Sequence, residues 1–382
     1  MFIEYIYQHT DIFLFNSRLF STSVATLFAF ILSMALFPPY IAFLRRLRFS
    51  SELENGSSAV PGTHEPVMPA GILFLVVIAL TCLLTARFNS YVLSALAIYL
   101  FFGVIGAVDD IAKVINKGRL GRGEISKEDY QYKADGISAT LRLTLYLLVS
   151  VAVAIVAYKY IPNINGHIVI PFLSIEKVFP YFPFWLFIPF MALTIAVMAN
   201  GVNFTDGFDT LATVPLITCA IFVGVLAYIS SNETWATYLL IPHIVGVEEI
   251  LPVVGAMLGT LLAFLWFNSP PSSIIMGDSG SVGLGGLVGI LFIFIKAEFY
   301  LPIVGFIFLM EFASDILQIG SFKLTGKRIF LMAPIHHHFQ IKMRRKPFYT
   351  SESNIKAKIT WRFHIISVIL LVVGLILFIK VR

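Results

Sequence analysis

The chain has 382 residues, of which 58% are hydrophobic and 13% charged, with a mean hydropathy of +0.86. No soluble domain of this length covers so much apolar surface, which excludes a water-soluble enzyme or binding module and leaves an all-α integral membrane protein. The net charge of +5 then reflects orientation and anionic headgroups, not nucleic acid. Ten apolar stretches are long enough, or nearly so, to cross as helices: 19–44, 70–85, 90–108, 141–160, 183–199, 211–229, 250–267, 282–295, 300–319 and 363–379. They predict one polytopic domain over 1–382, a bundle of about ten transmembrane helices.

The amino terminus opens on a polar stretch with Glu4, His9 and Asp11. No cleaved leader is expected, and the first span serves as the insertion signal. The connection 45–69 is rich in Ser, Gly and Pro and is expected to lack regular structure. The third span is predicted to end in Val108-Asp109-Asp110-Ile111-Ala112-Lys113. A helix dipole disfavours acids at its carboxyl end, so Asp109 and Asp110 call for a cation or a function. An i,i+4 ion pair between Asp109 and Lys113 is the simpler alternative. Beyond it, Gly118, Gly121 and Gly123 are expected to break the helix.

Asn203-Phe204-Thr205-Asp206-Gly207-Phe208-Asp209 precedes the sixth span. Asp206 and Asp209 share a face if helical, while Gly207 permits a tight turn; capping of the span is the alternative. Asn203 offers an amide for a sugar, a base or a ligated water. Met276-Gly277-Asp278-Ser279-Gly280-Ser281 opens the short, glycine-rich eighth span. Backbone N–H groups and the positive dipole end there suit a phosphate, and Asp278 suits Mg²⁺; a flexible turn is the alternative. The connection 320–361 is the longest and most basic, and holds Ala333-Pro334-Ile335-His336-His337-His338. Three consecutive side chains diverge, so they do not ligate one zinc; imidazoles beside a diphosphate fit better, against a solvated cluster. Lys342-Met343-Arg344-Arg345-Lys346 reads as a headgroup-binding patch. Residues 353–362 are expected to form a helix running into the last span, with Trp361 in the interfacial belt. Cys82 and Cys219 fall inside spans and read as packing residues.

Lys and Arg set the orientation. Three basic residues from Arg45 to Arg48, seven from Lys113 to Arg142 and ten from Lys323 to Arg362 make 20 of the 27. The positive-inside rule puts these connections in the cytoplasm and both termini outside. All four motifs then lie on the cytoplasmic side. Acids, lysines and histidines gathered at one membrane face suggest metal-assisted phosphate chemistry on a lipid.

In this order the motifs resemble the phospho-N-acetylmuramoyl-pentapeptide transferases, within the polyprenyl-phosphate N-acetylhexosamine-1-phosphate transferase superfamily. The resemblance covers nearly the whole chain. His336-His337-His338-Phe339 after Met332-Ala333-Pro334 favours the muramoyl branch. It implies a ten-helix layout with periplasmic termini and a cytoplasmic active-site cleft, in the bacterial inner membrane. It also implies transfer of phospho-MurNAc-pentapeptide from UDP-MurNAc-pentapeptide to undecaprenyl phosphate with Mg²⁺, giving lipid I and UMP. By the same resemblance, Asp278 matches the magnesium ligand, and Asp109 the acid that deprotonates the lipid phosphate, with Asp110 beside it. Lys113 and Lys117 match phosphate- or nucleotide-proximal lysines, and Asn203, Asp206 and Asp209 the third motif. Asn268 and Gln318 match residues lining the uridine and sugar pocket. His336 and His337 match the essential histidines, with His338 next to them as a substrate contact. Expected partners are the two substrates and membrane lipids, with no nucleic acid; a homodimer is left open.

Three departures stand out. Val60–Gly71 lacks the family's usual lysine ahead of span two, although Thr63 is kept. Arg142 stands where a lysine is expected, which keeps the charge and changes its geometry. Thr210 replaces a usual glycine. The alternative activity is GlcNAc-1-phosphate transfer from UDP-GlcNAc. A secondary transporter fits poorly, because the acids lie at span ends and no inverted repeat is visible. Direct attack by the lipid phosphate and a covalent phospho-sugar on an Asp both fit the residues.

Overall fold

The computed structural model describes residues 2–10, 12–47, 49, 66–121, 138–170, 180–348 and 351–379. Among the described residues there are fourteen α-helices. In order they are α1 (Phe2–Thr10), α2 (Arg18–Arg46), α3 (Gly71–Thr85), α4 (Ser90–Gly121), α5 (Ala139–Tyr160), α6 (Phe184–Thr205) and α7 (Thr213–Ser231). Then follow α8 (Glu233–Leu239), α9 (Leu251–Asn268), α10 (Asp278–Phe294), α11 (Leu301–Val304), α12 (Phe306–Thr325), α13 (Ile335–Arg344) and α14 (Glu352–Ile379). Among the described residues the only β pairings are isolated bridges, Val67 with Ile274 and His167 with Tyr181.

Each of the ten predicted stretches is helical. Among the described residues, seven helices are long and apolar enough to cross a membrane, and α3 and α10 are shorter apolar helices. The ninth stretch is not one rod: its two halves meet at Gly305 with a bend of 87°. The expected helix end at 108 is also corrected, since α4 continues through Asp109 and Asp110 to Gly121. Lys113 satisfies Asp109 one turn later at 2.8 Å, and Ile111, Ala112 and Ile115 extend the helical pattern past the acids. The expectation for 45–69 is corrected at its end, where Val67 pairs with Ser273 and Ile275, and Ala70 and Gly71 donate to Ile275 and Met276. Most of that connection, with Thr63, lies outside the described residues.

The core is built around α10, whose residues from Ser279 to Phe294 are all buried. It packs on α4 and α6, and also on α3 and α7. A helix surrounded on every side needs small residues, which explains its glycine content. Gly71 shows the limit: a Cβ there would lie 1.9 Å from the Gly280 nitrogen, so α3 meets α10 backbone to backbone. Leu27 and Ile31 of α2, Leu148 of α5, and Ile369 and Ile376 of α14 are exposed. Apolar side chains outside and a packed core inside are what lipid demands. Cys82 and Cys219 are free and buried, as packing residues.

A smaller cluster supports the histidine helix. Phe208, Leu211, Ile307, Met343, Ile355, Ile359 and Phe363 pack together, with Phe339 against them. The predicted helix at 353–362 is the first part of α14. Gln340 and Arg344 of α13 hold it through Glu352.

Candidate active site

Three of the four motifs meet at Asp278, the first residue of α10, and the histidine motif packs beneath the Asp206–Asp209 turn beside it. Lys113 Nζ lies 2.8 Å from Asp109 Oδ2 and 2.9 Å from Asp278 Oδ2. Arg142 Nη1 donates to the same two oxygens at 3.0 and 2.9 Å. The Ser138 side chain caps α5, which places Arg142 one turn into that helix. Asn203, in the last turn of α6, donates through Nδ2 to Asp278 Oδ1 at 2.8 Å and to Ser281 Oγ at 3.0 Å. Two carboxylates thus share two cations, and the guanidinium at 142 reaches both acids. Lys117 lies further along α4, with its side chain outside the described residues.

Asp110 does something different. Its Oδ1 accepts from the Asp278 N–H at 3.0 Å and its Oδ2 from the Ser279 N–H at 2.9 Å. The Gly280 and Ser281 amides bond to the Gly277 carbonyl. The first four N–H groups of α10 are therefore all used within the protein, which corrects the expectation of a phosphate there. The anion at this helix start is the buried carboxylate of Asp110. It fixes the backbone that carries Asp278.

The Asp206–Asp209 segment closes over this cluster as a turn at the end of α6, not as a helical face. Burial, then the nearby Asp278 carboxylate, pushes the Asp206 carboxyl well above the usual range, opposed by a hydrogen bond from the Gly277 amide. Burial also raises Asp209, opposed by the Ser272 hydroxyl, which donates to Asp209 Oδ1 at 2.9 Å. Thr210 has φ +63°, the left-handed region that a glycine would occupy freely. Its N–H donates to Asn268 Oδ1 at 2.8 Å, and its carbonyl accepts from His364 Nε2 at 2.9 Å. Thr210→Gly is expected to raise stability by up to about 1 kcal/mol, read as an increased melting temperature in detergent.

Asn268 is buried, and its Nδ2 donates to the Ile274 carbonyl at 2.9 Å. It braces the turn against the extended 273–276 segment. Gln318 Oε1 accepts from Ile329 and Phe330, and its Nε2 donates to the Phe330 carbonyl. His338 Nδ1 accepts from the Leu331 N–H at 3.1 Å. Both side chains thus pin the loop ahead of α13. The three histidines diverge as expected: His337 Nδ1 meets Gln340 Oε1 at 2.8 Å, and His336 turns inward to Glu311 at 3.1 Å. Burial, then the adjacent His336, lowers His337 below its ordinary value. The sequence motifs do not include Glu311; its signal is an acid within the apolar ninth stretch, one turn before Asp315.

A pattern for glycosyl transferase family 4 matches residues 92–296. A phospho-N-acetylmuramoyl-pentapeptide-transferase of a Nitratiruptor species is 36% identical over 381 residues, covering 98% of each chain. One from Nautilia profundicola is 34% identical across the full length of both chains. One from Wolinella succinogenes is 37% identical over 349 residues, covering 88% of this chain and 91% of the relative. These likenesses run through every segment that meets at Asp278. The chain belongs to the phospho-N-acetylmuramoyl-pentapeptide-transferase family.

Proposed function

We propose that this protein transfers phospho-MurNAc-pentapeptide from UDP-MurNAc-pentapeptide to undecaprenyl phosphate, producing lipid I and UMP. The reaction runs at the cytoplasmic face of the bacterial inner membrane. The observation that carries this reading is the cluster in which Asp278 and Asp109 share Lys113 and Arg142. Ten crossings with both termini outside put that cluster at the cytoplasmic boundary. Exposed Trp266 and Trp361 at the same end of the bundle, and Trp185 and Trp235 at the other, support two interfacial belts. An apolar cavity of about 400 Å³ beside the histidine loop, between Pro302, Phe306, Leu317 and Phe330, suits a polyprenyl chain.

Among the described residues no three acid, histidine or cysteine side chains converge into a metal cage. Mg²⁺ is commonly held by one or two carboxylates together with substrate phosphates, so the Asp278 and Asp109 oxygens fit it. Held by Asp278 with Asp109 beside it, Mg²⁺ would neutralise the diphosphate and polarise a phosphoryl oxygen.

The chain's own residues do the rest. Lys113 and Arg142, oriented and partly desolvated by the acids, neutralise both phosphates so that one anion approaches another. Asp109 takes the proton of the lipid phosphate. An oxygen of that phosphate then bonds to the phosphorus carrying MurNAc, and the bond to UMP breaks with its electron pair leaving on UMP. Asp278 is engaged by two cations, which weakens it as a nucleophile and favours direct displacement over an intermediate on that residue.

Purified protein with undecaprenyl phosphate, UDP-MurNAc-pentapeptide and Mg²⁺ is expected to release UMP and form the lipid product. Chelation with EDTA should stop the release and added Mg²⁺ should restore it. Product from UDP-GlcNAc in place of UDP-MurNAc-pentapeptide would overturn the assignment in favour of the GlcNAc branch.

A further inference from the structure

Beside the aspartate cluster, two buried ionisable side chains face each other. Glu311 is fully buried in α12, and His336 is 1% exposed. His336 Nδ1 lies 3.1 Å from Glu311 Oε2, and the His336 backbone N–H donates to the same oxygen at 3.4 Å. A carboxylate only accepts, so Nδ1 carries the hydrogen and the ring orientation is fixed. Nε2 is thereby aimed at the Asp206–Asp209 turn: a Cβ on Gly207 would lie 2.4 Å from it. Phe208 meets the same ring edge-on at 4.7 Å. Glu311 Oε1 and His336 Nε2 are both buried without a hydrogen-bond partner among the described residues. Burying such groups costs stability, so packing alone does not account for the pair.

We propose that Glu311 is a positioning residue of this centre, acting through His336 to set the turn that holds Asp206 against Asp278. The path is short. Glu311 orients His336, whose Nε2 edge supports Gly207. Next to Gly207, Asp206 accepts from the Gly277 amide that precedes Asp278. His336 in this arrangement is also a positioning residue, buried beneath the turn. Gly207 lets the turn sit directly on the imidazole, and any side chain there would lift it. The kinetic consequence rests on the transferase reading, while the contact itself does not.

The test is a double-mutant cycle on purified protein. Glu311→Ala should lower kcat about 100-fold, the loss expected from misplacing reacting groups by about 1 Å. KM for UDP-MurNAc-pentapeptide should stay nearly unchanged. Glu311→Gln, which keeps an oxygen to accept from Nδ1, should recover much of that loss. In a His336→Asn background, Glu311→Gln should have no further effect, because it acts through the imidazole. Losses that multiply in the double variant, or full turnover in Glu311→Ala, would overturn the proposal. Should wild-type protein release no UMP, the transferase reading fails, and carbethoxylation of His336 by diethyl pyrocarbonate decides the contact. His336 should be protected in wild type and react faster in Glu311→Ala at an unchanged melting temperature; equal protection sinks the idea. Where the alanine variant does not fold, Glu311→Leu, which also removes the acceptor, takes its place in both measurements.

Discussion

Asp278→Asn should lower UMP release by about 10³-fold, the scale for losing one electrostatic group at a transfer centre. The substitution keeps the shape and two hydrogen bonds: an amide oxygen still accepts from Asn203 Nδ2, and the backbone N–H still meets Asp110. What disappears is charge. Lys113 and Arg142 would then share Asp109 alone, and the carboxylate proposed to hold Mg²⁺ is gone. Steady-state assays across a Mg²⁺ titration check this; rates close to wild type would remove Asp278 from the chemistry.

Asp110→Ala should fail for another reason. It orphans two buried donors, the N–H groups of Asp278 and Ser279. Each unsatisfied group costs about 1–3 kcal/mol, so the loss is about 2–6 kcal/mol for the pair, with activity falling as α10 loses its anchor. Asp110→Asn keeps one acceptor oxygen and should retain more activity than Asp278→Asn. Thermal unfolding in detergent beside UMP release separates the cases. An Asp110→Asn protein as inactive as Asp278→Asn, with wild-type stability, would mean that Asp110 works in the reaction and not as a cap.

The length of its apolar stretches identified every long helix among the described residues, because lipid leaves no other way to satisfy a backbone. The motifs were equally legible, since acids beside apolar runs are expensive and rarely incidental. Partnership was not legible. Asp109 and Asp110 are adjacent in sequence, yet one shares cations with Asp278 and the other caps its helix. Only the packing of α4 on α10 separates those roles. Asn268 and Gln318, matched by resemblance to a substrate pocket, spend their amides on nearby backbone. The extension of α4 past Asp110 is accompanied by the Lys113 ion pair, which offsets part of the dipole cost of the acids. The break at Gly305 divides a stretch whose composition is continuous.

The central claim is that one cytoplasm-facing centre moves the sugar-bearing phosphate onto a membrane lipid. It is tested most directly with UDP-MurNAc-pentapeptide labelled in that phosphate, supplied to sealed vesicles containing the protein. Inside-out vesicles should yield labelled lipid and unlabelled UMP, while right-side-out vesicles yield neither. Labelled lipid formed only in right-side-out vesicles, or label leaving with UMP, would contradict the account.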